Sequence, residues 1–138
     1  KKSDDLVFLI PGASNKKSRT SNIITLPHHS NYFHPDLIQA SDVVVGKIGY
    51  STLAEVYNSG KPYGYIPRGG FRESSVIEKF IQEKMSGIRI PEDDFLKGEW
   101  IEKSRRLLRT DPKYPESRKN GAVQAADYIL SKIVVTTQ

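Results

Sequence analysis

The feature that most constrains the fold is an alternation of short apolar segments with segments of helical pattern. The apolar segments are residues 6–10, 23–26, 43–45, 63–66 and 87–90. The helical patterns are residues 35–40, 51–59, 73–84, 100–108 and 116–133. Such alternation predicts βαβ units and therefore an α/β fold, with a doubly wound, mostly parallel sheet and helices on both faces.

Two boundaries within the first 22 residues follow from the same pattern. Residues 6–10 are continuously apolar, which is typical of a strand buried on both faces, and Pro11-Gly12 is expected to end this strand. The polar residues 13–22 are expected to form a loop. Gly12, Ala13 and Ser14 would then follow the carboxyl end of a strand, where they form either a plain turn or a loop that lines a ligand cleft.

Composition limits the class of protein. The chain has 138 residues, of which 37% are hydrophobic and 27% charged, and this fits one globular domain over residues 1–138. It contains no cysteine, which excludes disulfides and thiolate metal sites within this sequence. No apolar stretch approaches the roughly 18–20 residues that a membrane span requires. The prediction is a cytoplasmic location.

A basic segment lies at residues 97–119, within a chain of net charge +5. It is interpreted either as a solvated helix face or as a surface for peripheral contact with anionic phospholipid. The basic run lacks interleaved aromatic residues, so no nucleic-acid partner is predicted.

The segment VVVGKIGYSTLAEV, residues 43–56, joins a strand to a helix through a loop that is suited to an anion. Gly46 and Gly49 permit close approach of a ligand to the backbone, and Ser51 or Thr52 is expected to cap the helix. First-turn amides and the helix dipole favour a negative group, to which Lys47 adds a positive charge. The spacing matches neither GxxxxGK[ST] nor GxGxxG, so a tight turn with a polar cap remains an alternative.

A longer stretch, PDLIQASDVVVGKIGYSTLAEVYNSGKPYGYIPR, resembles the C-terminal, donor-binding domain of GT-B glycosyltransferases of the MurG-like type. The shared pattern is a β-branched strand, a basic residue, G-x-x-T-x-x-E, a helix, G-x-P, a second strand and a proline. The variant GKIGYST, followed by PRGGF-R-E, is similar to the glycosyltransferase-like domain fused to plant L-arabinokinases. The resemblance implies a Rossmann-like donor domain that lacks its first strand and helix, and hence a fragment of a two-domain enzyme.

The resemblance also implies roles for individual residues. Glu55 would hold the ribose hydroxyls of a nucleotide, since it occupies the glutamate position of the shared motif. Arg68, Phe71 and Glu73 stand where MurG-like enzymes contact the donor sugar, although the segment differs from theirs. The remaining residues are those of the diphosphate loop, Lys47, Gly49, Tyr50, Ser51 and Thr52, and those near the nucleobase, Tyr32, Phe33 and His34.

The function expected from this resemblance is the donor-binding half of a hexosyltransferase that uses a nucleotide sugar, most simply a UDP-sugar. Its partner would be an N-terminal acceptor-binding domain. The alternative is a non-catalytic, glycosyltransferase-like sensor or docking module that binds a sugar nucleotide. The histidines at positions 28, 29 and 34 show no zinc-ligand spacing, and the resemblance implies an enzyme that works without metal, so no metal is expected. The resemblance also implies no other cofactor, since the UDP-sugar would be the donor substrate.

Overall fold

The computed structural model describes residues 5–115 and 121–134, and these residues form a mixed α/β structure. The strands are β1 (Phe8–Ser14), β2 (Ser18–Thr20), β3 (Ile23–Pro27), β4 (Val44–Lys47), β5 (Tyr63–Ile66) and β6 (Gly87–Arg89). The helices are α1 (His34–Ala40), α2 (Tyr50–Ser59), α3 (Ser74–Lys84), α4 (Glu92–Lys97), α5 (Trp100–Leu107) and α6 (Gly121–Val134). The predicted α/β fold class is confirmed, and the architecture is consistent with a Rossmann-like fold.

Backbone contacts divide the chain into two compact units, Lys1–Ala40 and Ser41–Gln138. The first unit contains a three-stranded sheet of order β1-β3-β2 and then α1. Strand β1 pairs with β3 in parallel, and β2 pairs with β3 in antiparallel. The proposal that residues 1–138 act as one nucleotide-sugar-binding domain stays a prediction.

Three expectations for the first unit are wrong. Strand β1 does not end at Pro11-Gly12 but continues to Ser14, with a register irregularity after Ile10. It pairs on one side only among the described strands, and a proline is tolerated there because the missing N–H leaves no sheet hydrogen bond unmade. The strand is not buried on both faces, because Leu9 and Ile10 are 40% and 42% exposed. The expected loop at residues 13–22 instead contains the end of β1 and all of β2.

The second unit is built around a parallel sheet of order β4-β5-β6. Strand β5 lies in the middle and is buried along its whole length, as a central strand of a parallel sheet should be. The predicted boundaries of β5 are confirmed, and those of α2 and α3 differ from the structure by one residue. Helix α4 was not predicted, because six residues are too few to show a helical period.

Helix α3 contributes Ile77 and Ile81 to the core, where both side chains are at most 1% exposed. Phe80 packs edge-to-face on Tyr57 of α2, with ring centroids 5.1 Å apart. Val76, on the same helix, is 65% exposed and does not belong to this core.

The last described helix, α6, covers most of the segment expected to be helical at residues 116–133, while residues 116–120 lie outside the described residues. None of the helices within the described ranges is long and apolar enough to cross a membrane.

Candidate functional site

The candidate site lies at the carboxyl edge of the parallel sheet β4-β5-β6. Because the three strands are parallel and adjacent, the loops that follow them emerge at the same edge. These loops lead into α2, α3 and α4, respectively. In open α/β sheets this edge is where ligands bind, so the three loops are the first place to look for a site.

The loop after β4 ends in the start of α2. Gly49 is the N-cap residue in an extended conformation, and its carbonyl accepts the first helical hydrogen bond, from the amide of Leu53 at 2.9 Å. The amides of Tyr50, Ser51 and Thr52 therefore precede the helical hydrogen-bond ladder. No side chain caps this helix, so the prediction that Ser51 or Thr52 is the cap is wrong: the helix begins before both residues.

Gly46 and Gly49 are glycines that the fold itself does not require. Neither has a positive φ angle, and a Cβ atom added at either position would meet no other atom within 4 Å. The space above the loop is therefore open. Backbone strain does not explain glycine at these two positions. Close approach of a ligand to the backbone would explain it.

Lys47, the last residue of β4, is paired with a carboxylate from a distant part of the sequence. Its Nζ lies 2.9 Å from Oε1 of Glu92, the first residue of α4. Both side chains are more than half exposed, at 57% and 54%. The ion pair links the loop after β4 to the loop after β6 on the solvent side of the edge.

An open cleft of about 440 Å³ lies between the loops after β5 and β6. Its charged lining consists of Arg68, Glu78, Arg89, Glu92 and Asp93. Within the cleft wall, Nε of Arg89 donates to Oε2 of Glu78 at 3.2 Å. Three carboxylates face two guanidinium groups, so the cleft is not a simple anion site.

The predicted donor-sugar residues are placed differently from one another. Arg68 lines the cleft, and its guanidinium lies over the ring of Phe71 at 5.4 Å from the ring centroid. Glu73 precedes α3, and its backbone carbonyl accepts a hydrogen bond from Ile77. Sequence reasoning missed Arg89, Glu92 and Asp93. The rule that ligands bind at the carboxyl ends of parallel strands also applies to β6, and it would have indicated these three residues.

Glu55 lies on α2, one turn beyond the loop, and is half-buried. Its spacing from Ser51 and Thr52 places the three residues on the same side of the helix. The ribose-binding role of Glu55 stays a prediction.

Tyr63 is a positioning residue that the sequence did not reveal. This residue begins β5 and is fully buried, and its hydroxyl donates to the carbonyl oxygens of Gly46 at 3.3 Å and Lys47 at 3.2 Å. The phenol therefore holds the end of β4 just before the loop. Burial raises the pKa of Tyr63 from 10.0 to about 12, because the charged phenolate would lose its hydration.

This pKa predicts a pH dependence of stability. The neutral phenol is favoured in the folded state, so the stabilisation is complete below pH 10 and is lost as the pH rises through 12. The free energy of unfolding of the wild type, minus that of Tyr63→Phe, should fall by about 1.4 kcal/mol per pH unit across this window. Urea denaturation of both proteins between pH 8 and pH 11.5 measures the difference. A difference independent of pH would contradict the assignment.

The other predicted residues belong to the first unit. Gly12, Ala13 and Ser14 form the end of β1 and not a loop after it. The ring of Tyr32 lies under Nζ of Lys17, which also donates to its hydroxyl at 3.1 Å. Phe33 is 67% exposed, and His34 is the first residue of α1. Contact of Tyr32, Phe33 and His34 with a nucleobase, and of residues 12–14 with a cleft, stays a prediction.

Several basic side chains of the segment 97–119 form contacts within the same chain. Lys103 is hydrogen-bonded to Asp94, Arg105 lies 4.0 Å from Glu102, and Nζ of Lys113 donates to the carbonyl of Glu83. Of these three contacts, that of Arg105 with Glu102 lies within α5, whereas Lys103 and Lys113 contact α4 and α3. Peripheral membrane contact stays a prediction. Among residues 5–115 and 121–134, no group of three or more histidine and carboxylate side chains is arranged to hold a metal ion.

Together, the fold and the site describe an α/β protein whose second unit has a glycine-containing loop before a helix, and a mixed-charge cleft, at one edge of its parallel sheet. The chain is similar to L-arabinokinase of Arabidopsis thaliana, with 29% identity over 127 residues. The match covers 92% of this chain but only 12% of the length of that relative. No protein-family model matches the chain, and no solved structure matches it.

This comparison corrects the predicted enzyme class. The sequence motif indicated a glycosyltransferase, whereas the relative that matches nearly the whole chain is named as a kinase. The assignment of the chain to a hexosyltransferase is therefore wrong. The similarity to the glycosyltransferase-like domain of plant L-arabinokinases agrees with the match.

Proposed function

We propose that this chain is a non-catalytic module that binds a sugar nucleotide and reports its presence to, or docks it for, a larger protein. The single observation that carries the proposal is the start of α2 at the carboxyl edge of β4-β5-β6, beside an open, glycine-containing loop. Three amides there precede the helical ladder, and a phosphate group is the ligand that such an arrangement favours.

Further support comes from the motif and from the relative. The G-x-x-T-x-x-E spacing, formed here by Gly49, Thr52 and Glu55, is the one by which MurG-like domains hold a nucleotide diphosphate and its ribose. The relative is named for a kinase that acts on L-arabinose, which favours a sugar-containing ligand over an unrelated anion. In this proposal, the loop amides hold the diphosphate and Glu55 accepts hydrogen bonds from the ribose hydroxyls.

In this proposal the module binds its ligand and does not catalyse a reaction. A transferase needs a base beside the acceptor, and the proposed role of this edge is to orient and recognise a ligand. Arg68 and the rest of the cleft wall supply hydrogen-bonding groups for the part of the ligand beyond the diphosphate. No metal is part of the proposed site.

The proposal is tested by calorimetric titration of the longest natural form of the protein with UDP and, separately, with uridine. UDP is expected to bind at least tenfold more tightly than uridine, because only UDP places phosphates on the amides of α2. Absence of binding at millimolar UDP, or equal affinity for uridine, would overturn the proposal.

A second measurement separates binding from catalysis. The protein is incubated with a panel of UDP-sugars, and the release of UDP is followed by chromatography. Binding without release is the expected result. Steady release of UDP from any of these donors would contradict the non-catalytic role.

A further inference from the structure

Lys47 and Glu92 form an ion pair beside the proposed phosphate loop. The two residues are 45 positions apart in sequence, yet Nζ of Lys47 and Oε1 of Glu92 are within hydrogen-bond distance. Lys47 is the cation nearest in sequence to the proposed phosphate loop. This cation has a carboxylate partner within the chain, so a ligand has to compete for it.

The residues around Glu92 indicate which ligands can compete well for Lys47. Glu92 also lines the cleft, together with Asp93, Glu78, Arg68 and Arg89. One of the two guanidinium groups, that of Arg89, is itself paired with Glu78. With Lys47 paired to Glu92, the cations Lys47, Arg68 and Arg89 balance the three carboxylates of this edge. A ligand group that extends from the loop into the cleft therefore meets no excess of positive charge, which disfavours a further phosphate, while the carboxylates accept hydrogen bonds from hydroxyl groups.

An interaction with the helix dipole of α4 does not by itself explain why a glutamate stands at position 92. A carboxylate in the first turn of a helix interacts favourably with the helix dipole, but Asp93 and Asp94 occupy the same turn of α4. As an ion pair between half-exposed side chains, the contact adds little to folding stability, because water screens the two charges and holding two long side chains in one geometry costs entropy. The position of Glu92 between Lys47 and the cleft is what distinguishes it from its neighbours.

We propose that Glu92 is a specificity-determining residue, which selects ligands whose diphosphate carries an uncharged polyhydroxylated group and disfavours ligands with a further phosphate. The inference rests on the proposed function and adds to it the charge of the ligand that the site accepts. A nucleoside diphosphate-sugar meets this requirement, and a nucleoside triphosphate does not. Glu92 acts by neutralising Lys47, so that this edge of the sheet carries no excess of positive charge toward a further phosphate.

The test compares the affinities of UDP and UTP for the wild type and for Glu92→Gln, by calorimetry at constant ionic strength. The substitution keeps the size of the side chain and removes its charge. It is expected to raise the affinity for UTP by about two- to fivefold more than the affinity for UDP, the range of an exposed charge interaction. Glu83→Gln is the matched control, because Glu83 is an exposed carboxylate of α3 that pairs with Lys79.

The outcomes are separable. An unchanged ratio of UTP to UDP affinity in Glu92→Gln, or an equal change in Glu83→Gln, would overturn the role of Glu92. The same substitution in a Lys47→Met background should have a smaller effect, because Glu92 acts on the ligand by neutralising Lys47. An undiminished effect in that background would refute the coupling. Failure of both the wild type and Glu92→Gln to bind either nucleotide would overturn the proposed function itself.

Discussion

Replacing Tyr50 by proline is expected to weaken the binding of UDP by about 10- to 100-fold while the fold stays intact. The substitution removes one backbone amide from the start of α2, and a hydrogen bond to a charged group contributes about 1.5–3 kcal/mol. Proline is well tolerated as the first residue of a helix, where the amide has no helical partner. The preceding Gly49 is already extended, with φ −172° and ψ 154°, as a residue before proline prefers.

The matched control for this experiment is Tyr50→Ala, which removes the same side chain but keeps the amide. The side chain of Tyr50 is 58% exposed, so its loss should change the stability little. Affinity is measured by calorimetry, and helix content by circular dichroism. If alanine and proline weaken binding equally, the side chain and not the amide contacts the ligand. If proline leaves the affinity unchanged, the start of α2 is not the phosphate site.

Replacing Gly60 by alanine is expected to lower the free energy of unfolding by about 2–5 kcal/mol. Gly60 ends α2 with φ 70°, a conformation that costs other residues about 1–2 kcal/mol. An added Cβ would also lie 2.5 Å from Cδ1 of Tyr114, and overpacking of this kind costs about 1–3 kcal/mol. The carbonyl of Gly60 accepts a hydrogen bond from the amide of Lys113, so the segment before Tyr114 is held against this turn.

Gly98 provides the control for Gly60 within the same chain. It ends α4 with a similar φ of 77°, but a Cβ there would meet no other atom within 4 Å. Gly98→Ala should therefore cost only the conformational part, about 1–2 kcal/mol. Urea denaturation measures both variants, and Tyr114→Ala combined with Gly60→Ala should recover part of the loss. Equal costs for the two glycine substitutions would show that the contact with Tyr114 does not matter.

Prediction from the sequence succeeded best where the signals are local. Helix α2 is followed by Gly60 and Pro62, and α3 shows its period through Ile77 and Ile81, so both were placed within one residue. It was less successful for the ends of β1 and for β2, because strand boundaries depend on pairing with β3 and not on the residues of the strand alone. The six residues of α4 are too few to show a hydrophobic period, so the helix was not predicted. The position of Glu92 and Asp93 at the site was therefore not predicted either.

The loop after β4 was predicted from its residues, and the structure places it at a sheet edge where a ligand can bind. The helix start differs from the expectation, because Gly49 and not Ser51 or Thr52 is the N-cap residue. Function was less accessible from the motif than fold, since the spacing of Gly49, Thr52 and Glu55 indicated a transferase, whereas the relative is named as a kinase. A motif that describes how a phosphate is held does not specify what chemistry follows.

The sequence by itself determined the order of the strands and helices other than β2 and α4, because proline, glycine and hydrophobic period act over a few neighbouring residues. Only the tertiary structure decided which side chains meet. Tyr63 reaches the carbonyls of Gly46 and Lys47 because β5 lies beside β4, and Glu92 reaches Lys47 because the loops after β4 and β6 leave the same edge. Strand adjacency is set by packing of the whole sheet, and so no local pattern in the chain records these contacts.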